Sequence, residues 1–149
     1  AKPVIYGMIY GAQDPKLGEI VGKGRDAGTA IRKALYARYP GLDTITKAAQ
    51  EAATGRGYIT GLDGRRMPIR SRHSALNTLL QGAGGVLTKQ WIVYAHEDFR
   101  AAGLADRLSQ VAWSHDEIQV EADDADVAEA AGKIIEKCEN FILQRLGHE

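Results

Sequence analysis

Hydrophobic positions recur along the chain with two different periods, one typical of helices and one typical of strands. The helical period predicts helices near residues 2–10, 14–22, 25–40, 42–55, 74–101 and 124–147. The two-residue period predicts two hairpins, one turning at Leu62-Asp63-Gly64 and one turning near Asp116. We therefore expect an α+β fold in which long helices pack beside short antiparallel strands.

Residues with strong positional preferences mark the expected ends of these helices. Asp14 precedes a proline and predicts an N-cap, and Pro40 predicts the end of the helix that starts near residue 25. Asp43 or Thr44 is the expected cap of the next helix, and Gly55 its expected C-cap.

The composition is that of a globular domain, because 44% of the residues are hydrophobic and 26% are charged. At 149 residues the chain is long enough for one domain with its own core. No apolar run is long enough to span a bilayer, and no signal-like leader is visible, so we expect no membrane association. Cys138 is the single cysteine, which predicts no internal disulfide and a reducing, cytoplasmic location.

Charge is balanced overall but unevenly distributed. Residues 1–39 carry seven Lys or Arg against three acids, and residues 56–72 carry five arginines against one acid. Residues 115–139 carry nine acids against two lysines. Such an arrangement can hold a polyanion on one part and cations on the other. The alternative is that these charges are ordinary solvated helix faces.

Three polar residues four apart, His73, Asn77 and Gln81, are predicted to form a ladder along one side of the long helix. Gly82, Gly84 and Gly85 follow them, and each glycine costs a helix interior about 1 kcal/mol relative to alanine. Such a cluster is tolerated where something approaches the helix backbone closely. Amide side chains can bond minor-groove acceptors, which look nearly alike for all base pairs. The alternative is a solvated polar face beside a tight helix crossing.

The tip of the second hairpin carries His115, Asp116 and Glu117. Carboxylates are the ligands that Mg²⁺ prefers, and a turn can bring two of them together. Acids at a turn are more often simply solvated.

At the start of the chain, Lys2, Tyr6 and Tyr10 share one helical face, and Gly11 follows them. A lysine beside two aromatic rings can hold a phosphate while a ring packs on a sugar or base. Aromatic residues at this spacing are more often part of a core.

The succession "KPVIYGMIYG", "RSRHSALNTLLQGAG" and "WSHDEIQV" resembles the family A (Pol I type) DNA polymerases. The "GLDGR" hairpin before the long helix makes the resemblance strongest to the phage replicative branch, and the likeness extends from Lys2 to about residue 146. It implies fingers-like helices and a hairpin over residues 1–72. Residues 73–149 would then form a partial palm, with a long helix, part of an antiparallel sheet and a final helix.

The resemblance also implies roles for individual residues. Lys2 would be both nucleotide-binding and catalytic, since it would contact the phosphates of the incoming nucleotide and protonate the leaving pyrophosphate. Tyr6 would lie beside the sugar of that nucleotide, where tyrosine implies acceptance of dideoxynucleotides. Tyr10 and Gly11 would gate the templating base. The expected DNA contacts are His73, Asn77, Gln81, His115, Arg70 and Arg72. Asp116 would be a catalytic metal ligand, with Glu117 as its less essential neighbour and Mg²⁺ as the metal.

The family's motif A aspartate precedes motif B, whereas this chain starts at the motif B lysine. Because two metals need a second carboxylate, we expect no polymerisation by this polypeptide alone. The chain would be a subunit of a split polymerase, a truncated piece, or a non-catalytic DNA-binding remnant. An unrelated interaction module is the remaining alternative.

The absence of a motif A strand also predicts an open sheet edge beside Val111–Ser114 or Ile118–Glu121. We expect another polypeptide to cover that edge. The cover would be another chain, through strand swapping or through dimerisation with a second copy of this chain.

Overall fold

The order of helices and strands follows the predicted α+β pattern. The structure, a computed structural model, describes residues 2–114 and 117–146. The elements are α1 (Lys2–Ile9), α2 (Asp14–Ile20), α3 (Arg25–Arg38), α4 (Pro40–Arg56), β1 (Tyr58–Thr60), β2 (Arg66–Pro68), a 3₁₀ turn (Arg72–Ser74), α5 (Ala75–Ala101), β3 (Leu108–Ser114), β4 (Glu117–Ala122) and α6 (Ala125–Leu146). One compact unit ends at Ala83 and a second begins at Gly84. The functional boundary expected at residues 72 and 73 stays a prediction.

The first unit is built on a close crossing of α2 and α3. Gly28 of α3 faces Asp14, and a Cβ on Gly28 would overlap the Asp14 carbonyl group. This approach leaves Leu17 of α2 fully buried. The buried apolar residues of this unit are Met8, Leu17, Ala49, Ile59, Ala75 and Leu76.

The start of α2 differs from its prediction, because Gln13 occupies the N-cap position and Asp14 is the first helical residue. The Asp14 carboxylate makes no cap bond and instead contacts Arg32 and Thr29 of α3. The expected N-cap role of Asp14 is therefore wrong, and its side chain joins two helices instead.

Helix α4 begins earlier and ends later than its sequence signals indicated, so the expected caps at Asp43 or Thr44 and at Gly55 are wrong. Pro40 starts α4 rather than merely ending α3, since its fixed φ suits the first helical turn. Asp43 accepts a hydrogen bond from Lys47, and Thr44 donates to the Pro40 carbonyl, so both lie inside the helix. The C-cap is Gly57, at φ 71°, and not Gly55.

The first hairpin forms where it was predicted. Strands β1 and β2 pair antiparallel, with Ile59 opposite Met67 and buried. Gly64 adopts φ 79° in the connecting turn. The side-chain hydrogen bond from Arg65 lowers the pKa of Asp63, which sits in the same turn as expected.

In the second unit, α5, α6 and the β3–β4 hairpin enclose a separate core. Its buried members are Trp91, Ala95, Phe99, Ala131, Cys138 and Ile142. The Trp91 indole N–H donates to the Ile135 carbonyl at 2.8 Å, so a buried polar group links α5 to α6. Alternate residues of β4, Ile118 and Val120, pack against this cluster. The predicted one-sided burial of β4 is confirmed.

Strands β3 and β4 form a two-stranded antiparallel sheet within the described residues, with a register shift at Val111. Asp124 accepts a hydrogen bond from the Val127 N–H at 2.9 Å and so caps α6. This backbone bond is the main reason that the pKa of Asp124 is lowered. None of the helices within residues 2–114 and 117–146 combines the length and apolarity that a membrane crossing requires.

Candidate functional site

The predicted nucleotide-binding face of α1 is exposed. Tyr6 and Tyr10 are 49% and 61% exposed, whereas Met8 is buried on another side of the helix. The Lys2 Nζ lies 5.6 Å from the centroid of the Tyr6 ring, within cation–π range. The two tyrosines are therefore not core residues. A lysine with a neighbouring ring, both facing solvent, can bind a phosphorylated aromatic ligand.

The turn after α1 depends on the glycine at position 11. The Tyr10 N–H bonds to the Tyr6 carbonyl at 2.9 Å and continues the helical pattern by one residue. Gly11 then adopts φ 83°, and its Cα faces the carbonyl of His73 so closely that a Cβ would overlap it. Glycine is thus required both by the backbone conformation and by the neighbouring chain.

Arg32 fixes the continuation of this turn. Its Nη2 donates to the Ala12 carbonyl at 2.7 Å, and its Nε donates to Asp14 Oδ1 at 2.6 Å. The hydroxyl of Thr29 donates to the other oxygen of Asp14 at 2.9 Å. The hydrogen bond from Arg32, followed by that from Thr29, lowers the pKa of Asp14. Sequence reasoning missed this group, because residues 14 and 32 become neighbours only when α2 and α3 pack.

Replacing Asp14 with asparagine should lower stability at pH 7 by about 1–3 kcal/mol, since Arg32 loses its anionic partner. The folded pKa of Asp14 is below its unfolded value, so the carboxylate stabilises the fold above about pH 4 and this contribution disappears as pH falls. Urea unfolding between about pH 7 and pH 3 should therefore give a flatter profile for Asp14→Asn than for the wild type. Asp26→Asn, a change at an exposed carboxylate of α3, is the control. Equal slopes for the Asp14→Asn variant and the wild type would contradict the assignment.

The polar ladder is only partly a feature of α5. Asn77 and Gln81 lie one turn apart on α5, but His73 lies in the preceding 3₁₀ turn, so the prediction that placed His73 on the long helix is wrong. His73 and Gln81 are exposed. Asn77 is half-buried, and its Oδ1 is buried without a hydrogen-bond partner in the described part of the chain. An unpaired buried acceptor costs about 1–3 kcal/mol, so Asn77 is unlike an ordinary solvated side chain.

The three glycines of α5 have different surroundings. A Cβ on Gly82 would lie 2.5 Å from the Met67 sulfur, so the close approach at that position comes from β2 of the protein itself. At Gly84 and Gly85 a Cβ would meet nothing within 4 Å among residues 2–114 and 117–146. The close approach expected at these glycines is therefore made at Gly82 by the protein itself, and an approach by DNA at Gly84 and Gly85 stays a prediction.

Positive charge gathers around the first hairpin. The guanidinium groups of Arg56 and Arg66 lie 5.3 and 5.1 Å from the centroid of the Tyr58 ring. Arg70 and Arg72 are exposed, and within the described ranges neither forms a salt bridge. These arginines form a surface that can attract a polyanion.

At the second hairpin, Glu117 is the first residue of β4 and lies opposite Ser114. Its carboxylate is exposed and accepts a hydrogen bond from Gln119 Nε2 at 2.5 Å. The two other predicted tip residues, His115 and Asp116, lie outside the described residues. In the parts that the structure covers, no group of three His, Cys, Asp or Glu side chains could hold a metal ion.

The fold matches that of a polymerase domain. It superposes on a solved structure described as the POL domain of Pol1 from M. smegmatis in complex with a DNA primer-template and dNTP, with a TM-score of 0.80. That match covers 95% of this chain and 26% of the other, at 20% identity.

The sequence defines the family. The family model for DNA polymerase family A matches residues 1–145, and this chain belongs to that family. It is 33% identical to the DNA-directed DNA polymerase of Enterobacteria phage T3 and 38% identical to that of Escherichia phage T7. These matches cover 95% and 80% of this chain, but only 23% and 20% of the phage proteins. The chain thus spans about a fifth to a quarter of the relatives' length, and the predicted family resemblance is confirmed.

Proposed function

We propose that this chain is a portion of a DNA-directed DNA polymerase that supplies the nucleotide-binding helix, primer-template contacts and one catalytic carboxylate. The observation that carries the proposal is the exposed face of α1, where Lys2, Tyr6 and Tyr10 line up before the constrained Gly11. Lys2 would bind the phosphates of a dNTP, and Tyr6 would contact its sugar. Tyr10 and Gly11 would lie at the templating base.

The DNA would lie along the row formed by His73, Asn77 and Gln81. Arg70 and Arg72 would bind its phosphates. Asn77 is half-buried, so its accessible atoms, and not its buried Oδ1, would contact DNA. The charge of the exposed Arg70 and Arg72 supports DNA binding, because phosphate contacts supply most of the sequence-independent affinity for DNA. His115 would contact the primer terminus.

For catalysis, Asp116 and Glu117 would contribute to a Mg²⁺ site, where bound metal lowers the pKa of the attacking hydroxyl and neutralises developing charge. The described residues include Glu117 but not Asp116, and they contain no group of three His, Cys, Asp or Glu side chains that could hold a metal ion. We infer that another polymerase portion carrying motif A supplies the missing ligand. The isolated chain would then be inactive. We place the assembly in the cytoplasm of a bacterium or of a phage-infected host.

Alanine at Gly84 and Gly85 tests whether DNA approaches α5. Each change should stabilise the fold by up to about 1 kcal/mol, because open helical positions favour alanine over glycine. Each should also weaken binding of a primer-template duplex, measured by fluorescence anisotropy at low salt, because the added methyl group obstructs the DNA backbone. Gly55→Ala is the matched control, as it too is an open helical position and should gain stability without losing affinity. Unchanged affinity in both test variants would show that DNA does not reach this part of α5.

A non-catalytic DNA-binding remnant is the second candidate function. The positive charge around the first hairpin favours DNA binding, and therefore supports this candidate as much as it supports the polymerase portion. The two candidates separate when the chain is mixed with the motif A portion and Mg²⁺. Primer extension by the mixture identifies the polymerase portion. DNA binding without extension identifies the remnant, and no DNA binding at low salt contradicts both.

A further inference from the structure

The side-chain amide of Gln13 joins the turn after α1 to His73, sixty residues away in the chain. Its Nε2 lies 3.0 Å from the Gly11 carbonyl oxygen and 3.0 Å from His73 Nδ1. Gln13 occupies the N-cap position of α2, but its side chain makes no cap bond there. The amide is therefore used for this link and not for the helix end.

The chemistry of these partners fixes the orientation of the amide. A backbone carbonyl oxygen only accepts hydrogen bonds, so the group that faces Gly11 must be the NH₂ of Gln13 and not its oxygen. An amide NH₂ only donates, so His73 Nδ1 must accept through its lone pair. A neutral imidazole has one proton on two nitrogens, and in His73 that proton is then on Nε2.

The backbone holds His73 in the same place. The His73 carbonyl fills the space that a Cβ on Gly11 would need, so the 3₁₀ turn and the turn after α1 are in direct contact. The Gln13 amide spans this contact with one hydrogen bond to each side. The His73 ring is nevertheless exposed, which leaves it accessible to a ligand.

We propose that Gln13 is a positioning residue that makes His73 present an Nε2–H donor to the minor groove of the primer-template. This inference rests on the proposed function, in which His73 faces DNA. The minor groove offers acceptors, the adenine N3 and thymine O2, at nearly equivalent places in A·T and T·A pairs. A fixed donor can bond either arrangement, whereas the other tautomer would direct a lone pair at those acceptors. Gln13 thus supports sequence-neutral binding without touching DNA.

Gln13→Glu is the sharpest test, because a carboxylate of nearly equal shape replaces a donor by an acceptor. Long-range ¹⁵N NMR of the histidine rings at about pH 8.5, where an ordinary imidazole is neutral, reports the tautomer directly. We expect the Nε2–H form of His73 in the wild type and a shift to the Nδ1–H form in Gln13→Glu. Gln90→Glu, at an exposed site on α5, should leave His73 unchanged. An unchanged tautomer in Gln13→Glu would overturn the proposal. If that variant does not fold, an increased Nδ1–H fraction in Gln13→Ala supports the proposal and an unchanged fraction overturns it.

Binding of a primer-template duplex provides the second arm. Loss of one donor should weaken binding about tenfold in both Gln13→Glu and His73→Ala, and the double variant should be little weaker than either. Additive losses would mean that the added charge acts alone, and they would overturn the positioning role. The remaining outcome is a tautomer shift in Gln13→Glu together with full DNA affinity in both Gln13→Glu and His73→Ala. That result would refute the DNA contact of His73, and with it that part of the proposed function.

Discussion

Replacing Asp116 with asparagine is expected to abolish primer extension by the proposed assembly of this chain with a portion that carries motif A. The change keeps the size of the side chain but removes the negative charge that a divalent metal ion requires. Metal coordination contributes several kcal/mol of charge stabilisation to the transition state of nucleotidyl transfer. Each 1.36 kcal/mol corresponds to a factor of ten in rate. The extension rate should therefore fall by about 10³-fold or more, measured by single-turnover gel analysis with saturating dNTP.

The matched control is Glu121→Gln, which neutralises an exposed carboxylate on β4 of the same hairpin and should leave the rate nearly unchanged. Affinity for the primer-template should also be preserved in Asp116→Asn, because the loss concerns chemistry and not binding. If Asp116→Asn retained more than about a tenth of the wild-type rate, a metal-ligand role for Asp116 would be refuted. A similar loss in Glu121→Gln would mean that the extension rate depends on the total negative charge of residues 116–121 and not on Asp116 in particular.

Much of the element order was predictable because each element has a strong local pattern. The Leu62-Asp63-Gly64 turn, the alternation in β4 and the helical spacing from Val127 onward all occur within short windows, and each formed as expected. Where a local pattern had two physical interpretations, prediction failed. Pro40 can follow a helix or start one, and the structure shows the second.

The candidate site was less predictable, because its geometry depends on contacts between distant residues. The exposure of Tyr6 could not be deduced from spacing, since an aromatic helix face is equally suited to a core. The salt bridge between Asp14 and Arg32 joins residues 18 apart, and the bond between Gln13 and His73 joins residues 60 apart. These pairs have no sequence signature, because ordinary polar residues acquire their partners only when the helices pack.

The turn after α1 should tolerate substitution poorly, and Gly11→Ala should destabilise the first unit by about 2–5 kcal/mol. One part of this cost is the left-handed conformation, which costs a residue with a Cβ about 1–2 kcal/mol. The other part is steric, because the new methyl group must displace the His73 carbonyl, and overpacking of this kind costs about 1–3 kcal/mol. For a chain of this size, the Tm should fall by roughly 5–15 °C, measured by circular dichroism.

Gly22→Ala separates these two contributions. Gly22 also has a positive φ, 69°, but a Cβ there would meet nothing within 4 Å in the described residues. Its replacement should therefore cost only the conformational part, about 1–2 kcal/mol, and the difference between the two variants measures the contact between Gly11 and His73. Amide exchange should locate the additional loss in Gly11→Ala at the 3₁₀ turn and the end of α1. If both alanine variants lost the same stability, the two segments would not press on each other, and the backbone contact that holds His73 beside Gln13 would be absent.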